Sequence, residues 1–177
     1  MKNKPFSARD LSFCAIYLTV LIICSWLSIP TIVPFTMQIF ALFLLCYNLK
    51  FSCSLITIFS YLLLGIIGVP VFSGFNSGIG VLLSPTGGFL IGFFAICIFL
   101  RITKSLQNSI LSKFLFSLVG LILCYFIGVV WAVLIYFNDV SKFIYVLSTF
   151  IFPFVIFDCL KIFCAIILTE KFKKVVK

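Results

Sequence analysis

The sequence contains no histidine and very little charge. Only 10% of its 177 residues are charged, and the acidic residues amount to one glutamate and three aspartates. It also lacks a G-x-x-x-x-G-K-[ST] phosphate-binding loop, so we do not expect the chain to hydrolyse ATP by itself. An intramembrane enzyme usually needs a nucleophile with a base, or metal ligands, and this inventory supplies neither. We therefore predict no catalytic residue, no metal site and no bound cofactor.

Eight cysteines are present, but no two form a C-x-x-C pair. Most of them lie inside apolar runs. This placement favours buried thiols that act as small hydrophobic side chains over a disulfide framework or a metal site.

Long apolar runs make up most of the chain. Hydrophobic residues account for 64% of the sequence and the mean hydropathy is +1.36, whereas soluble domains carry about 25% charged residues. With roughly 20 apolar residues per crossing, the chain has room for about six spans. We predict an all-α polytopic membrane protein, a single six-helix bundle over residues 1–177, with spans at 10–29, 36–49, 52–68, 86–103, 112–137 and 143–169. The first run is interpreted as a retained helix, because it is too long for a signal peptide.

The net charge of +9 has a positional pattern that indicates a membrane and not a nucleic acid. Positive residues cluster on the cytoplasmic side of membranes, so we expect both termini and the connections near 49–52 and 101–113 to face the cytosol. The connections near 30–35 and 69–85 then face outward. Of the thirteen basic residues, only Lys142 and Lys161 depart from this pattern; the others are Lys2, Lys4, Arg9, Lys50, Arg101, Lys104, Lys113, Lys171, Lys173, Lys174 and Lys177.

Two outward connections have unusual compositions. Residues 65–92 hold eight of the ten glycines, which marks backbone that turns tightly or approaches another group closely. The second predicted span is short and follows Pro30 and Pro34, so we expect the loop before it to dip inward. Irregular backbone at membrane depth must be buried in protein or line a cavity. Both the inward-dipping loop and the Gly-rich loop between helices 3 and 4 are therefore candidate cavity walls.

The last predicted span carries two charges, Asp158 and Lys161, near its middle. Their i, i+3 spacing places them on one helix face. Each charge at the centre of a membrane helix costs about 2.5–3.5 kcal/mol on the translocon scale, so we expect the two to pair with each other or to bind a ligand. The first alternative is an ion pair that fixes helix packing. The second, which we prefer, is a ligand-facing pair.

Two amides extend this candidate site. Gln38 and Asn76 each carry donor and acceptor groups, and each lies in or beside an outward connection. The alternative is that they satisfy the backbone of their own loops. For Asn76 this alternative is strong, because asparagine is common in turns.

The first predicted helix carries a stripe of small residues with spacings of four, three and four. Such stripes let another helix approach closely. The partner is either a helix of the same bundle or a separate protein. The stripe consists of Ala8, Ser12, Ala15 and Thr19.

Four ordered motifs resemble those of the BioY family, the biotin-specific S components of energy-coupling factor (ECF) transporters. They are Val33-Pro-Phe-Thr-Met-Gln38, Tyr61-Leu-Leu-Leu-Gly-Ile-Ile-Gly-Val-Pro-Val-Phe-Ser-Gly74, Ser84-Pro-Thr-Gly-Gly-Phe-Leu-Ile-Gly92, and the set Pro153, Asp158 and Lys161. The resemblance covers most of the chain. Two positions depart from the family pattern, since Ser84 stands where the family usually has glycine and Phe89 where tyrosine or another polar residue is frequent.

The resemblance implies high-affinity biotin uptake across the bacterial cytoplasmic membrane, with a transmembrane T component and two ATPase subunits as partners. It implies that the small-residue stripe docks the T component. Within this site we assign Lys161 to the biotin carboxylate and Asp158 to a urea N–H. The implied substrate-binding residues are Gln38, Asn76, Thr86, Asp158 and Lys161.

Two other classes of function stay open at this point. One is an S component for another vitamin, such as riboflavin or thiamine. The other is a membrane protein without transport activity, such as an assembly factor or an intramembrane enzyme.

Overall fold

The computed structural model describes residues 7–30 and 34–175, with side chains up to residue 172. Within these ranges the chain forms a two-stranded antiparallel hairpin, in which β1 (Ser28–Ile29) pairs with β2 (Phe35–Thr36). Lys2, Lys4, Lys177, loop residues 31–33 and the side chains of Lys173 and Lys174 lie outside the described part. The same ranges contain eight α-helices: α1 Ala8–Trp26, α2 Gln38–Asn48, α3 Phe51–Ile66, α4 Ile79–Leu83, α5 Gly87–Ile102, α6 Ile110–Trp131, α7 Phe143–Phe150 and α8 Phe152–Val175.

Three helical segments are long and apolar enough to cross a membrane, namely Ala8–Trp26, Ile110–Tyr136 and Phe152–Phe172. The second continues α6 through a π-helical turn over Ala132–Tyr136. Shorter apolar helices lie in the other predicted spans. The structure is therefore that of a mostly helical membrane protein, and α1, α2, α3, α5 and α6 match predicted spans to within a few residues.

The last predicted span, 143–169, differs from the structure. It is divided at Ile151, which leaves helical geometry with φ −121° and ψ −59°, so that α7 and α8 are separate helices. The cause is Pro153. Proline lacks a backbone N–H, and its ring clashes with the carbonyl group four residues earlier, so it cannot continue α7. Its fixed φ suits the first turn of a new helix, which is where it lies in α8.

One end of the bundle, here called the basic end, gathers charged residues from several helix termini. Lys50, between α2 and α3, lies 2.8 Å from the carboxylate of Asp10 in α1, and this hydrogen bond raises the pKa of Lys50. Lys113 at the start of α6 lies 2.6 Å from Glu170 near the end of α8. The start of α1 is closed by a capping box between Ser7 and Asp10. The Tyr47 hydroxyl group, near the end of α2, donates a hydrogen bond of 3.1 Å to the Lys113 carbonyl oxygen and so connects the two ion pairs. The termini of five helices therefore meet at one end.

The core between α5 and α6 depends on glycine. A Cβ atom at Gly88 would overlap Trp131, one at Gly92 would overlap Cys124, and one at Gly128 in α6 would overlap the ring of Phe89. The absence of side chains at these positions lets the two helix backbones approach closely. All eight cysteines are free thiols, and five of them are buried.

The opposite end, here called the loop end, consists of the hairpin and the connection from α3 to α5. Trp26, at the end of α1, donates a hydrogen bond of 2.8 Å from Nε1 to the Pro70 carbonyl oxygen and stacks on Phe75 with ring centroids 5.0 Å apart. Phe75 has a left-handed φ of +59°, next to Gly74 at +67°. The connection therefore follows a tight path that is fixed to α1.

Candidate functional site

A cavity of about 420 Å³ lies beneath the loop end. Its volume falls within the range of about 300–1,000 Å³ that is usual for small-molecule sites. All five residues predicted to bind substrate border it: Gln38, Asn76, Thr86, Asp158 and Lys161. The rest of the wall is largely apolar, with phenylalanine rings from four parts of the chain, namely Phe72, Phe89, Phe93, Phe150 and Phe154.

Asp158 and Lys161 form a buried ion pair in the wall of this cavity. Lys161 Nζ lies 2.7 Å from Asp158 Oδ1, and the two residues are only 6% and 4% exposed. The second carboxylate oxygen, Oδ2, accepts a hydrogen bond of 2.6 Å from the Tyr125 hydroxyl group of α6. The Lys161 ammonium group also lies 3.8 Å from the centre of the Phe35 ring, within cation–π range. Each charge is thus compensated by several neighbours while it still borders the cavity.

Sequence reasoning missed Tyr125 and Phe35. Tyr125 lies on α6, far along the helix from Lys113, and nothing in the sequence indicates that it meets α8. Phe35 belongs to the motif before α2, but its role emerges only in three dimensions, where its ring also packs against Phe154 and Phe157.

Gln38 lies at the start of α2 and is buried, with 9% exposure. Its Nε2 donates to the Tyr61 hydroxyl oxygen at 2.6 Å and to Ser25 Oγ at 3.2 Å. Its Oε1 accepts a hydrogen bond of 2.9 Å from Thr36. The two N–H groups of this amide are therefore already engaged by the protein, although the side chain borders the cavity.

Asn76 and Thr86 border the cavity from the connection between α3 and α5. Asn76 is exposed, and its Nδ2 donates a hydrogen bond of 2.8 Å to the carbonyl oxygen of Ser73. This bond within the loop is the turn-forming role, the alternative to ligand binding. The Thr86 hydroxyl oxygen lies 2.9 Å from Ser84 Oγ, which in turn donates to the Val81 carbonyl group. The serine that replaces the usual glycine thus takes part in the loop's own hydrogen bonding.

The small-residue stripe faces away from the bundle, since Ala8, Ser12, Ala15 and Thr19 are all exposed. Its hydroxyl groups bond within α1, with Ser12 donating to the Ala8 carbonyl oxygen and Thr19 to that of Ala15. The described part of the bundle therefore does not cover the stripe. The alternative of packing against another helix of the same bundle does not match this arrangement.

The architecture closely matches a solved structure, the S-component for biotin from an ECF-type ABC transporter. The two chains agree with a TM-score of 0.79 and 24% identity, over 96% of this chain and 95% of the other. This likeness defines the class of fold, that of an S component.

Sequence comparison identifies the family. The family model described as the BioY family matches residues 1–177, and the chain belongs to this family. It is 33% identical to biotin transporter BioY of Thermotoga maritima, over 94% of this chain and 96% of that protein. It is 31% identical to a probable biotin transporter BioY of Pyrococcus horikoshii, over 93% and 96%. The resemblance predicted from the four motifs is confirmed.

Proposed function

We propose that this chain binds biotin and takes it up across the membrane as the substrate-specific subunit of an ECF-type ABC transporter. Relatives that match almost over their full length are named as biotin transporters. The observation in the structure that carries the proposal is the buried Asp158–Lys161 pair in the wall of an otherwise largely apolar cavity. Biotin combines an apolar tail and thioether ring with a cyclic urea and one carboxylate, and so presents matching chemistry.

The ion pair is better suited to the urea of biotin than to its carboxylate. A urea presents an N–H donor beside a carbonyl acceptor, so Asp158 can accept the first while Lys161 donates to the second. A ligand carboxylate at Lys161 would instead place a second anion close to Asp158, because the two side chains are only 2.7 Å apart. Like charges at such distances repel each other. We therefore assign the pair to the urea and change the carboxylate assignment made for Lys161 from the sequence.

Biotinamide, which lacks the carboxylate charge, separates the two assignments. If the pair binds the urea, Lys161→Met should weaken biotin and biotinamide by similar factors. If Lys161 binds the carboxylate, the substitution should weaken biotin much more than biotinamide. Asn76 and Thr86, on the loop side of the cavity, complete the proposed set of substrate-binding residues. Gln38 also borders the cavity, but its amide N–H groups are bound within the protein, so we propose for it an indirect role.

We further propose six membrane spans, with α7 and α8 as parts of the last one and both termini in the cytosol of a bacterial cell. Charge supports this orientation, because Arg9, Lys50, Arg101, Lys104 and Lys113 all lie at or near helix termini of the basic end. The cavity then opens on the outer side. Reporter fusions at the C-terminus test the topology, and an external C-terminus would contradict it.

Energy is proposed to come from partners, a transmembrane T component with two ATPase subunits, since the chain contains no phosphate-binding loop. The exposed stripe Ala8, Ser12, Ala15 and Thr19 is the proposed docking surface for the T component. Small residues allow a partner helix to come close, and internal hydrogen bonds already satisfy the Ser12 and Thr19 hydroxyl groups.

Titration calorimetry of the purified protein with biotin, riboflavin and thiamine tests the substrate. We expect saturable binding of one biotin per chain and none of the other two vitamins. Binding of riboflavin or thiamine alone would support the S component for another vitamin. Absence of binding together with failure to copurify with ATPase subunits would support a protein without transport activity.

A further inference from the structure

A buried hydrogen-bond network lies behind the cavity wall and joins three helices. Ser25 of α1 and Tyr61 of α3 are fully buried, and neither is among the cavity-lining residues. The Tyr61 hydroxyl group donates a hydrogen bond of 3.0 Å to Ser25 Oγ and accepts one of 2.6 Å from Gln38 Nε2. Buried polar groups that satisfy one another in this way hold a single arrangement, since each lost partner leaves an unpaired group.

On one side, this network holds the hairpin. Gln38 Oε1 accepts a hydrogen bond from the hydroxyl group of Thr36, and the Gln38 backbone N–H donates back to that hydroxyl oxygen at 3.3 Å. Thr36 is the last residue of β2 and itself borders the cavity. The hairpin wall of the cavity is therefore fixed through the Gln38 amide.

On the other side, the same tyrosine holds the Gly-rich connection. Phe72 is 1% exposed and meets the Tyr61 ring edge to face, with centroids 5.4 Å apart. A Cβ atom at Gly65, one helical turn beyond Tyr61, would overlap the Phe72 ring. Phe72 thus lies in a slot formed by Gly65 and Tyr61, next to the cavity-lining Ser73.

We infer that Gln38, Tyr61 and Ser25 are positioning residues, which hold both loops of the cavity in the binding arrangement before the ligand arrives. Tyr61 is the shared element, because its hydroxyl group fixes the hairpin through Gln38 and its ring fixes the Gly-rich connection through Phe72. Gln38 acts on the ligand through this network and not by direct contact. Preorganised loops bind more tightly, because the ligand does not have to order them.

Tyr61→Phe tests the inference, since it keeps the ring that packs on Phe72 and removes only the hydroxyl group. The measurement of biotin affinity rests on the proposed function. We expect biotin affinity to fall about 3- to 10-fold, in the range of one lost buried hydrogen bond, although residue 61 does not line the cavity. Gln38→Ala should then add little in the Tyr61→Phe background, because both substitutions break the same network. If Gln38 instead contacts biotin directly, affinity should be unchanged in Tyr61→Phe and fully lost in Gln38→Ala.

Hydrogen exchange of the ligand-free protein provides a second test, which does not depend on biotin. In Tyr61→Phe, exchange should rise at Met37, whose N–H donates to the Cys24 carbonyl oxygen, while Phe72 and Gly78, whose N–H groups donate to Asn76 and Gly65, stay protected by the retained ring. In Tyr61→Leu, which also removes the ring, exchange should rise at all three amides. The matched control is Tyr47→Phe, which removes a hydroxyl group bonded to Ser117 near the basic end and should leave these amides unchanged. Exchange that does not rise at Met37 in Tyr61→Phe, or that does not rise at Phe72 and Gly78 in Tyr61→Leu, would overturn the inference even if biotin binds. A protein that does not bind biotin but shows this pattern of exchange in the two variants would refute the proposed substrate alone.

Discussion

The charged side chains near the two ends of the bundle are arranged differently. At the basic end, each ion pair joins two parts of the chain that are far apart in sequence, Asp10 with Lys50 and Lys113 with Glu170. At the cavity, Asp158 and Lys161 lie three residues apart on one helix. The first arrangement ties helices together. The Asp158–Lys161 pair contacts another helix only through the Tyr125 hydroxyl group, yet it is more deeply buried than the pairs at the basic end.

This difference indicates what each kind of ion pair contributes to the protein. A pair that bridges helices has a structural role even when water reaches it. A buried ion pair within one helix loses hydration free energy on folding. Replacing such a pair with apolar residues of similar shape often leaves stability unchanged or improves it. The position of the Asp158–Lys161 pair in the cavity wall therefore supports a role in ligand binding, and substitutions at the two ends should separate binding from stability.

The largest effect is expected at the cavity pair. Asp158→Asn and Lys161→Met each remove one partner of a desolvated charged contact, so biotin affinity should fall by about 2–5 kcal/mol. Calorimetry on purified variants measures this, with thermal unfolding in detergent as the control for folding. If both variants bind biotin as well as the original protein, the pair has a packing role, and the distinction between the two ends disappears.

The next effect concerns transport alone. Ser12→Trp and Ala15→Trp place bulk on the exposed stripe of α1, remote from the cavity lining. Close helix approach depends on small side chains, so ATP-dependent uptake and copurification with the T component should be lost while biotin binding persists. Phe13→Trp, at an exposed position on another face of α1, is the matched control and should leave uptake and copurification intact. Loss of biotin binding in the stripe variants would show that the stripe supports the bundle instead.

A smaller effect on stability is expected at Lys113 and Glu170, whose side chains are 14% and 28% exposed. Glu170→Gln keeps the shape and removes the charge, so the free energy of unfolding should fall by about 0.5–1 kcal/mol, the upper part of the range for surface pairs. Biotin affinity should not change. A strong loss of affinity without a loss of stability would extend the binding site to the basic end.

The smallest effect is expected at Lys50, whose side chain is 67% exposed. Lys50→Gln should leave both thermal unfolding and biotin binding unchanged, because exposed pairs often contribute nothing measurable. A clear shift in either quantity would show that water does not screen this pair.

Periodicity and composition were sufficient for much of the fold. The apolar runs predicted five helices closely, because a membrane helix must satisfy its own backbone hydrogen bonds and so requires a long apolar stretch. The division between α7 and α8 was missed although Pro153 was visible. Proline is tolerated in many membrane helices, so its presence alone does not predict a break.

The candidate site was predicted in part. Charges, amides and glycines are rare in this chain, so Asp158, Lys161, Gln38 and Asn76 were conspicuous, and all four border one cavity. Tyr125, Phe35 and Tyr61 were not identified, because they are common residues for a membrane helix or its loop. Their roles depend on which helices pack together. The hydrogen bonds that engage Gln38 and Asn76 within the protein also required the structure.

A structure of the protein with biotin bound would test the role of the Asp158–Lys161 pair without an intermediate assumption. We predict one biotin per chain in the cavity beneath the hairpin and the Gly-rich connection. Its urea N–H should lie within hydrogen-bond distance of the Asp158 carboxylate, and its urea oxygen within that distance of Lys161 Nζ. Biotin bound elsewhere, or in the cavity with no polar atom near either side chain, would contradict this prediction.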